Sequence, residues 1–113
     1  AIIVSKDNHV LATGYNGVPR GVVHCIDRPC LGANDKSGDS DRCLAVHAEI
    51  NALLQCQDIT KAYAMYTSVV PCFACAKAIV NTPIKKLIAI EPYSDLRGHE
   101  IMMHCGVHIH FGF

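Results

Sequence analysis

Between residues 62 and 111, short β-rich runs alternate with segments of helical character, and this alternation restricts the fold more than any other feature of the chain. Ala62 to Val70, rich in Tyr, Met, Thr and Val, reads as a strand. Pro71 then stands where a helix can begin, because its missing N–H costs nothing in a first turn. A helix over Cys72 to Asn81 has to end by Thr82, since Pro83 disfavours helical geometry at the residue before it. Lys86 to Glu91 is a short apolar strand expected to be central and buried on both faces. Leu96 to Cys105 reads as helical, with Gly106 at a left-handed C-cap. In the last strand Val107, Ile109 and Phe111 alternate with His108 and His110, which places the three apolar residues on a buried face and both histidines toward solvent. Strands alternating with helices imply parallel pairing through right-handed crossovers.

The first half is organised differently. Ala1-Ile2-Ile3-Val4 and His9-Val10-Leu11-Ala12-Thr13 flank the turn residues Lys6-Asp7-Asn8, so residues 1–14 read as a hairpin. Residues 14–42 are Gly-, Pro- and polar-rich with little periodicity, a length uncommon for a loop unless it is functional, stapled by metal or mobile. His47 to about Gln57 reads as a helix with Ile50, Leu53 and Leu54 on one face. The expected architecture is therefore α/β: one domain over residues 1–113, three-layer α/β/α, on a mixed five-stranded sheet whose last two strands are parallel.

Composition removes several function classes. Ten Lys plus Arg balance ten Asp plus Glu, so no net field gathers nucleic acid or an anionic membrane. Aromatic residues make up 6% with no Trp, too few for a base-stacking platform. The apolar runs are too short to span a bilayer, and no basic-then-apolar leader stands at the start. Seven Cys is an odd count. Without a leader it points to reduced thiols, held for metal or buried, in a cytoplasmic compartment.

Two motifs carry chemistry. His47-Ala48-Glu49 opens the first helix and Pro71-Cys72-Phe73-Ala74-Cys75 opens the second. Cys72 and Cys75, three apart in a helical first turn, project from one side, and the positive end of the helix dipole favours their thiolates. With His47 they offer zinc three ligands. An open fourth position distinguishes a catalytic site from a closed structural one. Glu49 is then the candidate acid–base group. His-x-Glu followed by Pro-Cys-x-x-Cys is the general signature of zinc deaminases. A structural zinc site, or two buried thiols with a helix-capping Glu, is the plainer alternative.

His47-Ala48-Glu49-Ile50-Asn51-Ala52, Gly14-Tyr15-Asn16-Gly17-Val18-Pro19-Arg20-Gly21 and Pro71-Cys72-Phe73-Ala74-Cys75-Ala76-Lys77 closely resemble the deoxycytidylate (dCMP) deaminases of the cytidine deaminase superfamily, over nearly the whole chain. The resemblance implies hydrolytic deamination of dCMP to dUMP, with zinc on His47, Cys72 and Cys75 and Glu49 shuttling protons. It implies substrate contacts at Asn16 and Tyr93. It also implies an effector site for dCTP (activator) and dTTP (inhibitor) on Asn16, Gly17, Pro19 and Arg20, with Mg2+ accompanying the triphosphate, and a homo-oligomer, usually a hexamer. Some phage members hold a second zinc with a ligand matching Cys25. His24, Cys25, Cys30 and Cys43 are therefore candidate ligands for a structural zinc, against buried thiols or a Cys30–Cys43 disulfide. Cys56 and Cys105 read as core thiols. The family's N-terminal helix and basic segment, which helps hold the substrate phosphate, have no counterpart here. Rival readings are a zinc deaminase of dCTP, a nucleobase or tRNA adenosine, and a non-enzymatic zinc-stapled nucleotide-binding module.

Overall fold

In the computed structural model the described residues are 1–21 and 45–112. Strands β1 (Ile2–Ser5) and β2 (Val10–Thr13) form the expected hairpin. Its turn is closed by the Asn8 N–H donating to the Ser5 carbonyl at 3.0 Å. Asn8 adopts φ 64°, a left-handed conformation that Asn tolerates better than most side chains. Helix α1 (Ala48–Gln55), β3 (Ala62–Val69), α2 (Phe73–Val80), β4 (Lys86–Glu91), α3 (Arg97–His104) and β5 (His108–Phe111) follow in the order read from the sequence. A single 3₁₀ turn, Ile59–Lys61, precedes β3 and was not anticipated. Asp58 caps it, its carboxylate accepting from the Thr60 N–H at 3.2 Å.

The sheet runs β2-β1-β3-β4-β5. β1 is antiparallel to both β2 and β3, whereas β3, β4 and β5 are mutually parallel. The mixed sheet with parallel last strands is thus as expected, and β4 lies between two neighbours. Among the described residues the three helices pack together on one face. Ala52 of α1, Ala76 and Ile79 of α2 and Met102 of α3 join Ile3, Met65, Leu87 and Ala89 of the sheet in one cluster. Fully burying one Leu, Ile or Met side chain contributes about 1.5–3 kcal/mol, so this cluster dominates the stability of the domain. The opposite face carries a smaller cluster of Val4, Ala64 and Ile88 with Tyr63 and Tyr66.

Four side chains depart from the expected burial. Leu54 is 73% exposed, because α1 rests on the sheet through Ala52 and Leu53 and turns Leu54 outward. Ile90 is exposed because it points to the same side of β4 as Ile88, the face opposite the three helices. Phe111 is half exposed and stacks on the His99 ring of α3 instead of entering the core. Cys105, at the C-cap of α3, is exposed and is not a core thiol, whereas Cys56 packs partly against the main cluster. Gly106 does take the left-handed conformation, φ 86°, that closes α3. His108 and His110 face solvent.

Candidate metal centre

Parallel pairing puts the carboxyl ends of β3 and β4 at the same edge of the sheet, where α/β domains place their sites. The Val70 N–H donates to the Glu91 carbonyl at 2.9 Å, which ties the segment leading into α2 to the end of β4. The chain then turns through buried Pro71 into Cys72, the N-cap of α2. His47 is the N-cap of α1. An N-cap normally uses a Ser, Thr, Asp or Asn oxygen to satisfy a free N–H of the first turn, and losing that bond costs about 1 kcal/mol. Neither His47 nor Cys72 caps its own helix. Both side chains turn toward each other instead, and this is the local sacrifice that builds the site.

His47 Nδ1 lies 3.3 Å from Cys75 Sγ and 3.5 Å from Cys72 Sγ. The three donor atoms all fall within 4.8 Å of one another. Zinc bonds of roughly 2.3 Å to sulfur and 2.0–2.1 Å to nitrogen, set at tetrahedral angles, require N-to-S edges of about 3.5 Å. The observed separations match that requirement, and the donor set is the soft and borderline mixture that zinc prefers. Electrostatics agree. A hydrogen bond from Cys75 brings the Cys72 thiol down to about 5, so Cys72 is a thiolate at neutral pH. The same shared bond, reinforced by burial and by the Glu49 carboxylate, pushes Cys75 up.

Glu49 occupies the first turn of α1 and is not one of the three converging donors. Burial raises its carboxyl above the usual carboxylate range, while a hydrogen bond with Cys75 and the nearby His47 pull it back. A carboxylate adjoining a metal triad without completing it is free to handle protons.

Two glycines lock the helix mouths. A Cβ on Gly14 would come inside 3.0 Å of the Ala52 nitrogen and the Ala48 carbonyl oxygen, so only glycine lets the strand β2 exit pass beneath α1. A Cβ on Gly98 would come inside 3.0 Å of the Pro71 carbonyl oxygen, so only glycine lets α3 sit against the Pro-Cys turn. Over the far side of that turn, Phe73 lies beneath two cations, Lys77 Nζ at 4.7 Å and the Arg97 guanidinium at 4.9 Å. Arg97 is itself held by a bidentate pair with Asp95, which keeps the Asp95 carboxyl below its ordinary range.

The remaining candidates are dispersed. Tyr93, half-buried against the main cluster, follows β4 at the sheet edge that carries Cys72. Asn16 is exposed in the loop after β2. Gly17 pairs with Val46 in an isolated antiparallel bridge, next to His47 in sequence. Gly17, Pro19 and Arg20 line a cleft with Tyr15, Asn51 and Leu54, and none of His47, Glu49, Cys72 or Cys75 reaches it. His24, Cys25, Cys30 and Cys43 lie outside the described residues. Gly14, Gly98 and Asn51 were not picked out as site residues in the sequence. A glycine inside a helix and an asparagine beyond a helix's first turn are the local signals that mark two of them.

Comparison with known proteins gives a consistent picture. The family model described as the cytidine and deoxycytidylate deaminase zinc-binding region matches residues 1–91. A Mycobacterium phage D29 protein named deoxycytidylate deaminase is 39% identical over 94 residues, which are 76% of this chain and 73% of that protein. The Saccharomyces cerevisiae deoxycytidylate deaminase is 32% identical over 111 residues, 93% of this chain but 35% of the yeast protein. Against the human deoxycytidylate deaminase the chain spans 54% of the relative's length at 34% identity. The dCMP deaminase of cyanophage S-TIM5, crystallised with dCMP and dUMP, superposes with a TM-score of 0.71 at 25% identity, covering 98% of this chain and 78% of that one. Family match, relatives and metal-binding geometry converge, and the chain belongs to the cytidine and deoxycytidylate deaminase family.

Proposed function

We propose that this chain carries the active site of a zinc-dependent deoxycytidylate deaminase, converting dCMP and water to dUMP and ammonia. The observation that carries the reading is the convergence of His47 Nδ1 with the Cys72 and Cys75 sulfurs beside a Glu49 carboxylate that stays outside the donor set. Held by those three residues, zinc would supply a water acidified to a pKa of about 7. Glu49 takes up a proton, delivers it to the pyrimidine ring nitrogen N3, and later returns one to the amine leaving C4. Oxygen replaces nitrogen at C4 and no redox partner is needed. Asn16 contacts the sugar side of the substrate, and Tyr93, at the edge where β3 and β4 end, contacts the nucleotide. The S-TIM5 enzyme, which was crystallised with dCMP and dUMP, supports this choice of substrate.

An absorbance assay on dCMP, dCTP, cytidine and cytosine, each with and without added dCTP or dTTP, tests the assignment. The zinc-loaded protein turns over dCMP at least tenfold faster than the other three. Preference for another compound, or no turnover of any, defeats it. Regulation by dCTP and dTTP places an effector, with Mg2+ on its triphosphate, at Asn16, Gly17, Pro19 and Arg20. Gly17, Pro19 and Arg20 line a cleft to which none of the three metal-ligand candidates contributes, which supports a separate effector site. A homo-oligomer, hexameric by family likeness, and a second zinc on His24, Cys25, Cys30 and Cys43 complete the proposal. Sedimentation and metal analysis test these, with two zinc equivalents per chain expected. Among the described residues no helix is long and apolar enough to cross a membrane, in keeping with a cytoplasmic site of action.

A further inference from the structure

Asn51 stands in the body of α1, where asparagine is a poor helix former because its amide competes with the backbone for hydrogen bonds. Here the amide nitrogen is engaged elsewhere. Its Nδ2 donates to the Tyr15 carbonyl at 2.8 Å and to the Val46 carbonyl at 3.3 Å. Two carbonyl acceptors demand the NH2 side of the amide, so the orientation is fixed by chemistry. The two carbonyls come from different segments. Tyr15 precedes Asn16 in the loop after β2, and Val46 precedes His47. The same segments are stitched by the Gly17 N–H donating to Val46 at 3.1 Å and the Val46 N–H to Gly17 at 2.7 Å. Gly14 anchors the loop's near end under α1 through its close approach to Ala48 and Ala52.

We propose that Asn51 is a positioning residue whose amide holds the Asn16 loop in register with the metal ligand His47, so that the substrate-contacting and metal-holding halves of the site move as one. The hydrogen bonds of Asn51 go to the two carbonyls and to none of the three metal-donor atoms, so it acts through those carbonyls. The inference rests on the reading above that Asn16 contacts substrate. Asparagine is the shortest side chain that offers two amide hydrogens, and alanine offers none. Aspartate at this position places an acceptor against two acceptors, which is worse than removal.

The test is steady-state kinetics on dCMP with zinc-loaded Asn51→Ala and Asn51→Asp, alongside zinc content and amide hydrogen exchange. Loss of these bonds raises KM about 3- to 10-fold, the equivalent of one or two net hydrogen bonds. Zinc stays at one equivalent on the triad, kcat stays within about threefold, and exchange quickens at Gly17 and Val46 but not in β3. Asn51→Asp is expected to be the more impaired of the two. Asn51→Ser, whose hydroxyl serves one carbonyl, gives an intermediate KM and replaces the alanine variant if that one does not fold. An unchanged KM with unchanged exchange overturns the proposal. So does a loss of turnover that only tracks a loss of zinc or of folded protein. Asn16→Ala separates the underlying reading: if its KM equals that of the parent while Asn51→Ala still quickens exchange at Gly17, the substrate contact is wrong and the tie survives.

Discussion

Replacing Gly98 by alanine sets helix propensity against packing, and the two predict opposite signs. Gly98 is buried within α3 and has no positive φ, so alanine ought to stabilise the helix by about 0.5–1 kcal/mol. The added Cβ, however, would lie inside 3.0 Å of the Pro71 carbonyl oxygen and at 3.0 Å from the Cys72 carbonyl, all of it backbone. Ordinary contact begins at 3.4 Å, so α3 has to retreat by roughly 1 Å. Overpacking of that kind costs about 1–3 kcal/mol. The net effect is a loss of about 1–2 kcal/mol, a Tm lower by roughly 4–10 °C for a domain this size. Function suffers beyond stability. The Cys72 carbonyl receives the Ala76 N–H at 2.8 Å and so starts the α2 ladder that aims Cys75. Zinc affinity falls by about tenfold, the lower end of what loss of a ligand's supporting contacts costs. Thermal melts of the zinc-loaded and chelated protein, with a chelator titration, measure both. A Tm that rises, with zinc affinity unchanged, would refute the close approach of α3 to the Pro-Cys turn.

Gly14→Ala meets the Ala52 and Ala48 backbone in the same way and is expected to lower Tm by a similar amount, while displacing His47 and raising the zinc dissociation constant. With Cys72 at about 5, the metal-free His47–Cys72–Cys75 site at pH 7.5 already carries one thiolate, and zinc uptake at that site has only the Cys75 thiol to deprotonate. Calorimetry in buffers of different ionisation enthalpy therefore finds close to one thiol proton released, rising toward two as the pH drops below 5. Two at pH 7.5 would contradict the shared Cys72–Cys75 bond.

How much of this was legible in the sequence depended on how local the cause was. The α2, β4 and α3 boundaries followed from Pro71, Pro83 and Gly106, residues that act on their own backbone. The convergence of His47, Cys72 and Cys75 was legible because the two cysteines share a helical turn and His47 opens a helix with Glu49 beside it. Burial at the margins was not. Leu54 carries the right periodicity for a core residue, yet α1 meets the sheet through Ala52, and a small residue at a close helix contact wins over a large one beside it. Phe111 alternates as a core residue should, but lies where β5 runs out and His99 is its partner. Gly14 and Gly98 owe their identity to backbone from distant segments, Ala48 to Ala52 and Pro71 to Cys72; a glycine inside a helix hints at Gly98, but no neighbouring residue says what either glycine packs against. Asn51 likewise serves carbonyls that only the fold brings within reach.

The central claim is that three side chains hold the metal and a fourth, Glu49, moves the proton. The turnover of dCMP per bound zinc in Glu49→Gln measures it. Glutamine keeps the shape of the side chain but cannot accept and return a proton, so one equivalent of zinc is retained on the triad and turnover per zinc falls by about 10²–10⁴-fold. Turnover within tenfold of the parent, or zinc lost together with the carboxylate, would show that Glu49 holds the metal or merely packs beside it.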